Sequence, residues 1–91
     1  MDTQYQIAKT CDSVRDLLLD KNAKYGDAAL NPVRVFSKAD TIEQILVRID
    51  DKLNRIKQGA GLLATDEDVL VDLIGYLVLL KIALKRNKDS K

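Results

Sequence analysis

Apolar residues recur every three or four positions in two parts of the chain, which is the spacing of one face of an α-helix. The first pattern runs from about Thr3 to Lys24. The second begins at Thr41, whose hydroxyl we expect to cap the helix in a capping box with Gln44. It ends at the glycines of Gln58 to Gly61, the usual signal just past a helix. Two amphipathic helices are therefore predicted.

A third helix is predicted from about Asp66 to Arg86, and it is apolar on nearly every side between Val69 and Leu84. Asp72 near its start argues against a membrane span. The two other helices of a 91-residue chain are too few to surround this one. We therefore expect an all-α fold: a three-helix antiparallel chain that assembles into a helical bundle as a homodimer or homotetramer.

The segment from Tyr25 to Asp40 breaks the helical periodicity at Gly26 and at Asn31-Pro32. Proline lacks an amide hydrogen and restricts the residue before it, so a loop is predicted. Connections between helices usually run about 2 to 8 residues, and this one is longer. Long ordered loops are often functional, which makes this segment a candidate part of a site.

The composition indicates one globular domain, predicted to span residues 1–86, with a frayed charged tail at 87–91. The net charge of +1 gives no reason to expect a nucleic acid polymer or a membrane as partner. There is no histidine, and the single Cys11, expected to be a small core residue, excludes the usual zinc ligand sets. The N-terminus lacks the features of a signal peptide, so a cytoplasmic protein is expected.

Asp72 is the strongest candidate for chemistry, because a carboxylate in an apolar helix is costly to desolvate unless it is paired or binds a metal. Asp68 lies one turn earlier, and two carboxylates at this spacing can share Mg²⁺. Alternatively, Asp72 pairs with Arg48, Lys52 or Arg55 of the second helix. The two readings are compatible with each other, and both remain open.

The loop offers a second candidate set, made of Lys24, Tyr25, Arg34 and Lys38 beside Gly26. Cations next to an aromatic ring can hold a phosphate while the ring stacks on a base. A nucleotide is therefore one ligand that this segment could bind.

Three stretches, "KNAKYGDAALNP", "VRIDDKLNRI" and "DEDVLVDLIGYLVLL", resemble in the same order the blocks of the nucleotide modification associated domain family, whose short proteins are common in bacteriophages. The resemblance covers about Lys21 to Leu84. More distantly, the chain is similar to the all-α nucleoside triphosphate pyrophosphohydrolases of the MazG and dimeric dUTPase type. The resemblance implies a MazG-like fold and, for a phage protein, a place in the host cytoplasm.

Those enzymes hold Mg²⁺ on an E-x-x-E helix and an E-x-x-D helix, and they split a nucleotide between its α- and β-phosphates. The first pair falls here on Arg48 and Asp51, and the second on Val69 and Asp72, with Asp68 one position early. The resemblance thus implies Asp51, Asp68 and Asp72 as magnesium ligands.

Arg48 replaces the first acid of that motif and stands near Lys52 and Arg55. This replacement weakens a metal-dependent reaction and favours holding phosphate without metal. The implied nucleotide-binding residues are Lys24, Tyr25, Arg48, Lys52 and Arg55.

Three functions are therefore open. The first is a degenerate magnesium-dependent nucleotide pyrophosphohydrolase. The second is a non-catalytic nucleotide-binding protein that serves phage nucleotide modification or sequesters a nucleotide signal. The third is a structural helical oligomer, in which the resemblance extends only to the fold.

Overall fold

The computed structural model describes residues 2–32, 36–59 and 67–89, with side chains in the last range described from Val69 onward. It contains three helices: α1 (Thr3–Tyr25), α2 (Thr41–Gln58) and α3 (Glu67–Asp89). Within the described ranges there is no β-strand. The predicted all-α class is confirmed.

The helix boundaries lie close to those predicted from the sequence. α1 ends one residue later than expected, and α2 begins at Thr41 as expected. α3 continues to Asp89, three residues beyond the predicted end at Arg86. The expected start of α3 at Asp66 lies outside the described residues.

The cap of α2 is Asp40, and the prediction that Thr41 caps this helix was wrong. Asp40 has an extended backbone, and its carboxylate accepts a hydrogen bond from the Glu43 N–H at 2.8 Å. The Gln44 side chain donates to the Ala39 carbonyl at 2.7 Å. Aspartate is among the best N-cap residues, and Asp2 caps α1 in the same way.

α2 and α3 pack antiparallel and form the core. Ile45 and Ile49 from α2 are buried against Ala83 near the end of α3, while Lys52, further along α2, reaches Asp72 near the start of α3. Partly buried apolar residues surround this cluster: Leu30, Ile42, Leu73, Tyr76, Leu79 and Leu80. Ile45 is 1% exposed, and full burial of such a side chain stabilises the fold by about 1.5 to 3 kcal/mol.

α1 also runs antiparallel to α3 but is attached more loosely. Leu18 lies against Gly75, and Lys21, nearly one turn later in α1, lies against Asp72, nearly one turn earlier in α3. Of the α1 residues, all of which the structure describes, Val14 alone is buried. Cys11 is exposed, so its expected place in the core was wrong.

A compact turn follows α1. Gly26 and Asp27 both have φ of 63°, a left-handed conformation that usually calls for Gly, Asn or Asp. The Asp27 carboxylate accepts hydrogen bonds from the side-chain amides of Asn22 and Asn31. These bonds fix the first part of the predicted loop against the end of α1. Residues 33–35 of the loop lie outside the described residues.

α3 is exposed on the face that points away from α2. Six apolar side chains on this face are between about one third and one half exposed: Leu70, Ile74, Leu77, Val78, Ile82 and Leu84. The all-round apolar pattern of α3 therefore exceeds what α1 and α2 cover. In the described part of the chain, no helix is both long and apolar enough to cross a membrane.

Gly75 allows the close approach of α1 to α3, because a Cβ at this position would lie 2.9 Å from Leu18 Cδ2. We expect Gly75→Ala to be nearly neutral, since the end of the Leu18 side chain can shift and alanine favours helix by about 1 kcal/mol. Gly75→Val should lower the free energy of unfolding by about 1 to 3 kcal/mol through overpacking. Urea unfolding of the two variants checks this, and equal stabilities would contradict the contact.

Candidate functional site

One carboxylate on α3 joins all three helices. Asp72 Oδ1 lies 3.2 Å from the Lys21 ammonium near the end of α1. Asp72 Oδ2 lies 3.2 Å from the Lys52 ammonium in the middle of α2. Each carboxylate oxygen thus has one lysine partner, and each partner comes from a different helix.

The two ion pairs differ in how well they are shielded from solvent. The Lys52 side chain is 16% exposed and that of Asp72 is 26% exposed, so water screens this pair only in part. The Lys21 side chain is 46% exposed. An ion pair at such a surface position contributes about 1 kcal/mol or less. Lys52 is therefore the stronger partner, and Lys21 is the more accessible one.

The lysines control the charge of Asp72. Burial acts to raise the pKa of the Asp72 carboxyl, but the hydrogen bonds and positive charges of Lys52 and Lys21 together outweigh it. The pKa of Asp72 therefore lies below the ordinary value for aspartate. The carboxylate stays ionised at neutral pH and holds both ammonium groups in place.

The sequence alternative that pairs Asp72 with Lys52 is confirmed. Arg48 and Arg55 lie about one turn to either side of Lys52 on α2 and are exposed. Lys21 was missed as a site residue. Its position follows only once α1 and α3 are known to run antiparallel, because the three-residue spacing from Leu18 to Lys21 then matches that from Asp72 to Gly75.

The remaining predicted site residues are not drawn into this cluster by any contact that the structure describes. Lys24, Tyr25 and Asp51 are exposed, Tyr25 to 65%. The side chain of Asp68 and all of Arg34 lie outside the described residues.

The described donor set does not fit magnesium. Mg²⁺ takes oxygen ligands in near-octahedral geometry, and proteins commonly supply carboxylates for it. Both oxygens of Asp72 instead contact ammonium groups. Among the side chains that the structure describes, no three acidic or sulfur-bearing groups come together as a metal site.

A small cleft of about 130 Å³ opens beside Lys21 and Asp72, between α1, the turn after it and α3. Its walls are mainly apolar and include Ala28, Gly75 and Tyr76. Pockets for whole ligands usually measure about 300 to 1,000 Å³. The cleft is therefore too small to enclose a whole ligand of ordinary size.

Asp72→Asn should lower the free energy of unfolding by about 1 to 2 kcal/mol at pH 7, mostly through the Lys52 pair, since solvent screens Lys21. A folded-state pKa below the unfolded value near 3.9 gives stability that is present above about pH 4 and lost as the pH falls further. The difference between wild type and variant, measured by urea unfolding, should therefore shrink below about pH 4.

Asp51→Asn is the matched control, because Asp51 is an exposed aspartate on α2. Its effect should stay within about 0.5 kcal/mol at every pH. If the free energy of unfolding of wild type still exceeded that of Asp72→Asn by the same amount at pH 2, the ion pairs would not be the cause of the difference.

No family model matches the chain, and searches of curated proteins and of solved structures find no similar protein. The resemblance to the nucleotide modification associated domain family and to MazG-like enzymes therefore stays a prediction, carried by the three sequence stretches alone.

Proposed function

We propose that the protein binds a nucleotide through its phosphate groups at Lys21 and Lys52 and does not hydrolyse it. The observation that carries this proposal is the arrangement of the two ammonium groups on one carboxylate, each at 3.2 Å. It brings two cations from different helices to one point beside a cleft.

The cluster carries a net positive charge that an anion can neutralise. Two ammonium groups and one carboxylate sum to one net positive charge at neutral pH. Each ammonium has three N–H donors, and the bond to Asp72 uses one of them. The remaining donors can bind phosphate oxygens, and Asp72 keeps both lysines in position so that less side-chain entropy is lost on binding.

The exposed residues around the cluster extend the proposed site. Arg48 and Arg55 on α2 can bind phosphate oxygens in pairs through their planar guanidinium groups. Lys24 follows Lys21 by nearly one turn of α1, and the exposed Tyr25 ring is available to stack on a base. The proposed site therefore keeps all five nucleotide-binding residues predicted from the sequence and adds Lys21.

Binding is favoured over hydrolysis by the partners of Asp72. The pyrophosphohydrolase alternative needs Asp51, Asp68 and Asp72 to share Mg²⁺. Asp72 is held by lysines, and Asp51 belongs to no group of three acidic side chains in the described part of the chain. A binding protein of this kind suits a cytoplasmic role in phage nucleotide modification or in sequestering a nucleotide signal.

We also infer that the protein is a homodimer or homotetramer built as a helical bundle. The buried apolar side chains in the described part of the chain are few: Val14, Ile45, Ile49, Val69 and Ala83. A core of this size gives little stability to a single chain, and association would bury more of α3.

The ligand test titrates the protein with inorganic triphosphate and with ribo-, deoxyribo- and cyclic nucleotides, with and without Mg²⁺, by calorimetry and chromatography. We expect at least one nucleotide to bind and to remain intact. Lys52→Gln should weaken binding about ten- to hundredfold, because a charged hydrogen bond is lost. Lys57→Gln, an exposed lysine on the same helix, is the control and should bind as wild type does.

Release of phosphate or pyrophosphate that depends on Mg²⁺ would contradict the non-catalytic proposal and favour the hydrolase. The absence of binding across the whole panel would favour a structural helical oligomer, in which Asp72 serves only to join the helices. If Lys52→Gln and Lys57→Gln weakened binding equally, the ligand would not bind specifically at Lys52.

A further inference from the structure

A large apolar groove runs between α1 and α3. It measures about 630 Å³, within the range of 300 to 1,000 Å³ that is usual for ligand pockets. Cys11, Val14 and Leu18 line it from α1, and Ile74, Val78 and Ile82 line it from α3. Arg15 and Arg86 also lie along it. No part of the proposed phosphate cluster lines this groove, so nucleotide binding does not account for it.

The exposed area of the chain is larger than the average for a folded monomer of its mass. The accessible surface is 7276 Å². A folded monomer of this mass exposes roughly 5,300 Å², so the excess is about 2,000 Å². Obligate homodimers bury about 2,000 to 5,000 Å² in total, or half of that from each chain. The excess therefore matches one side of an obligate dimer interface.

We propose that this groove, together with the exposed face of α3, is the surface on which a second copy of the chain docks. The proposal rests on the homo-oligomer inferred above and names the face through which it forms. It commits to a second copy because the missing contact area has the size that a homodimer supplies.

The same chain provides a ridge that suits the groove. Leu70, Leu77 and Leu84 recur every seven residues along α3, beside the groove wall made by Ile74, Val78 and Ile82. A seven-residue repeat keeps one stripe facing a partner helix along its length. Because groove and ridge belong to one face, two copies related by a twofold axis can pack α3 against α3 and cover both grooves.

Val78→Glu tests this face, and Val47→Glu is a closely matched control. Both valines are exposed in the middle of a helix, at 41% and 57%, and Val47 lies on α2 outside the groove. Sedimentation velocity should give a wild-type mass at least twice that of one chain. Val78→Glu should dissociate at concentrations at least tenfold higher than wild type, and Val47→Glu should behave as wild type does.

A monomeric wild type would overturn both the oligomer and this interface. An oligomer that dissociates equally with and without Val78→Glu, or that dissociates with Val47→Glu instead, would overturn the interface alone. Circular dichroism of both variants shows whether the helices remain formed, so that unfolding is not mistaken for dissociation.

Cys11 gives a second measurement on the wild-type protein, which does not depend on any variant folding. This exposed thiol lines the groove, so a second copy should cover it. We expect its rate of alkylation by a maleimide to fall at least fivefold as the protein concentration rises through the dissociation constant. A rate that stays constant while the mass doubles would overturn the proposed face.

Discussion

The fold depends on the need to pair a carboxylate that sits within an apolar helix. An unpaired Asp72 would be costly to desolvate, and one lysine from each of the other helices pairs with it. Lys52 forms the more sheltered contact and sets where α2 lies along α3. Lys21 extends the contact to α1, which also approaches α3 where Gly75 admits Leu18. These contacts place Asp72 opposite Lys52 of α2 and opposite Lys21 of α1, and they therefore favour the observed register of the three helices.

In our account, the two faces of α3 serve two tasks. One face carries Asp72 and packs on α2, and the lysines that contact Asp72 form the proposed anion site. The other face carries the exposed apolar residues and the groove shared with α1. α1 takes part in both, since Leu18 lines the groove as well as the small cleft beside Lys21. In our account, the association of two chains would therefore also steady the helix that supplies one of the phosphate ligands.

The sequence predicted the three helices well because each has strong local signals, such as the regular stripe of α2 and the Gly that ends α1. It misassigned the α2 cap because Asp40 and Thr41 are both good caps, and only the backbone shows which residue precedes the helix. Lys52 was foreseen as one of three possible partners of Asp72, since a carboxylate in an apolar helix calls for a cation. Lys21 and the exposure of Cys11 were not, because both depend on where α1 packs, and local patterns do not encode that.

The proposed anion site is tested by an NMR titration of the lysine side-chain ammonium signals with inorganic triphosphate. We expect the signals of Lys21 and Lys52 to move together and to saturate at one concentration, while that of the exposed Lys57 stays in place. Signals that move equally for all lysines, or a triphosphate that binds without affecting Lys21 and Lys52, would contradict the proposed site. Such a result would leave Asp72 and its two partners as a purely structural link between the helices.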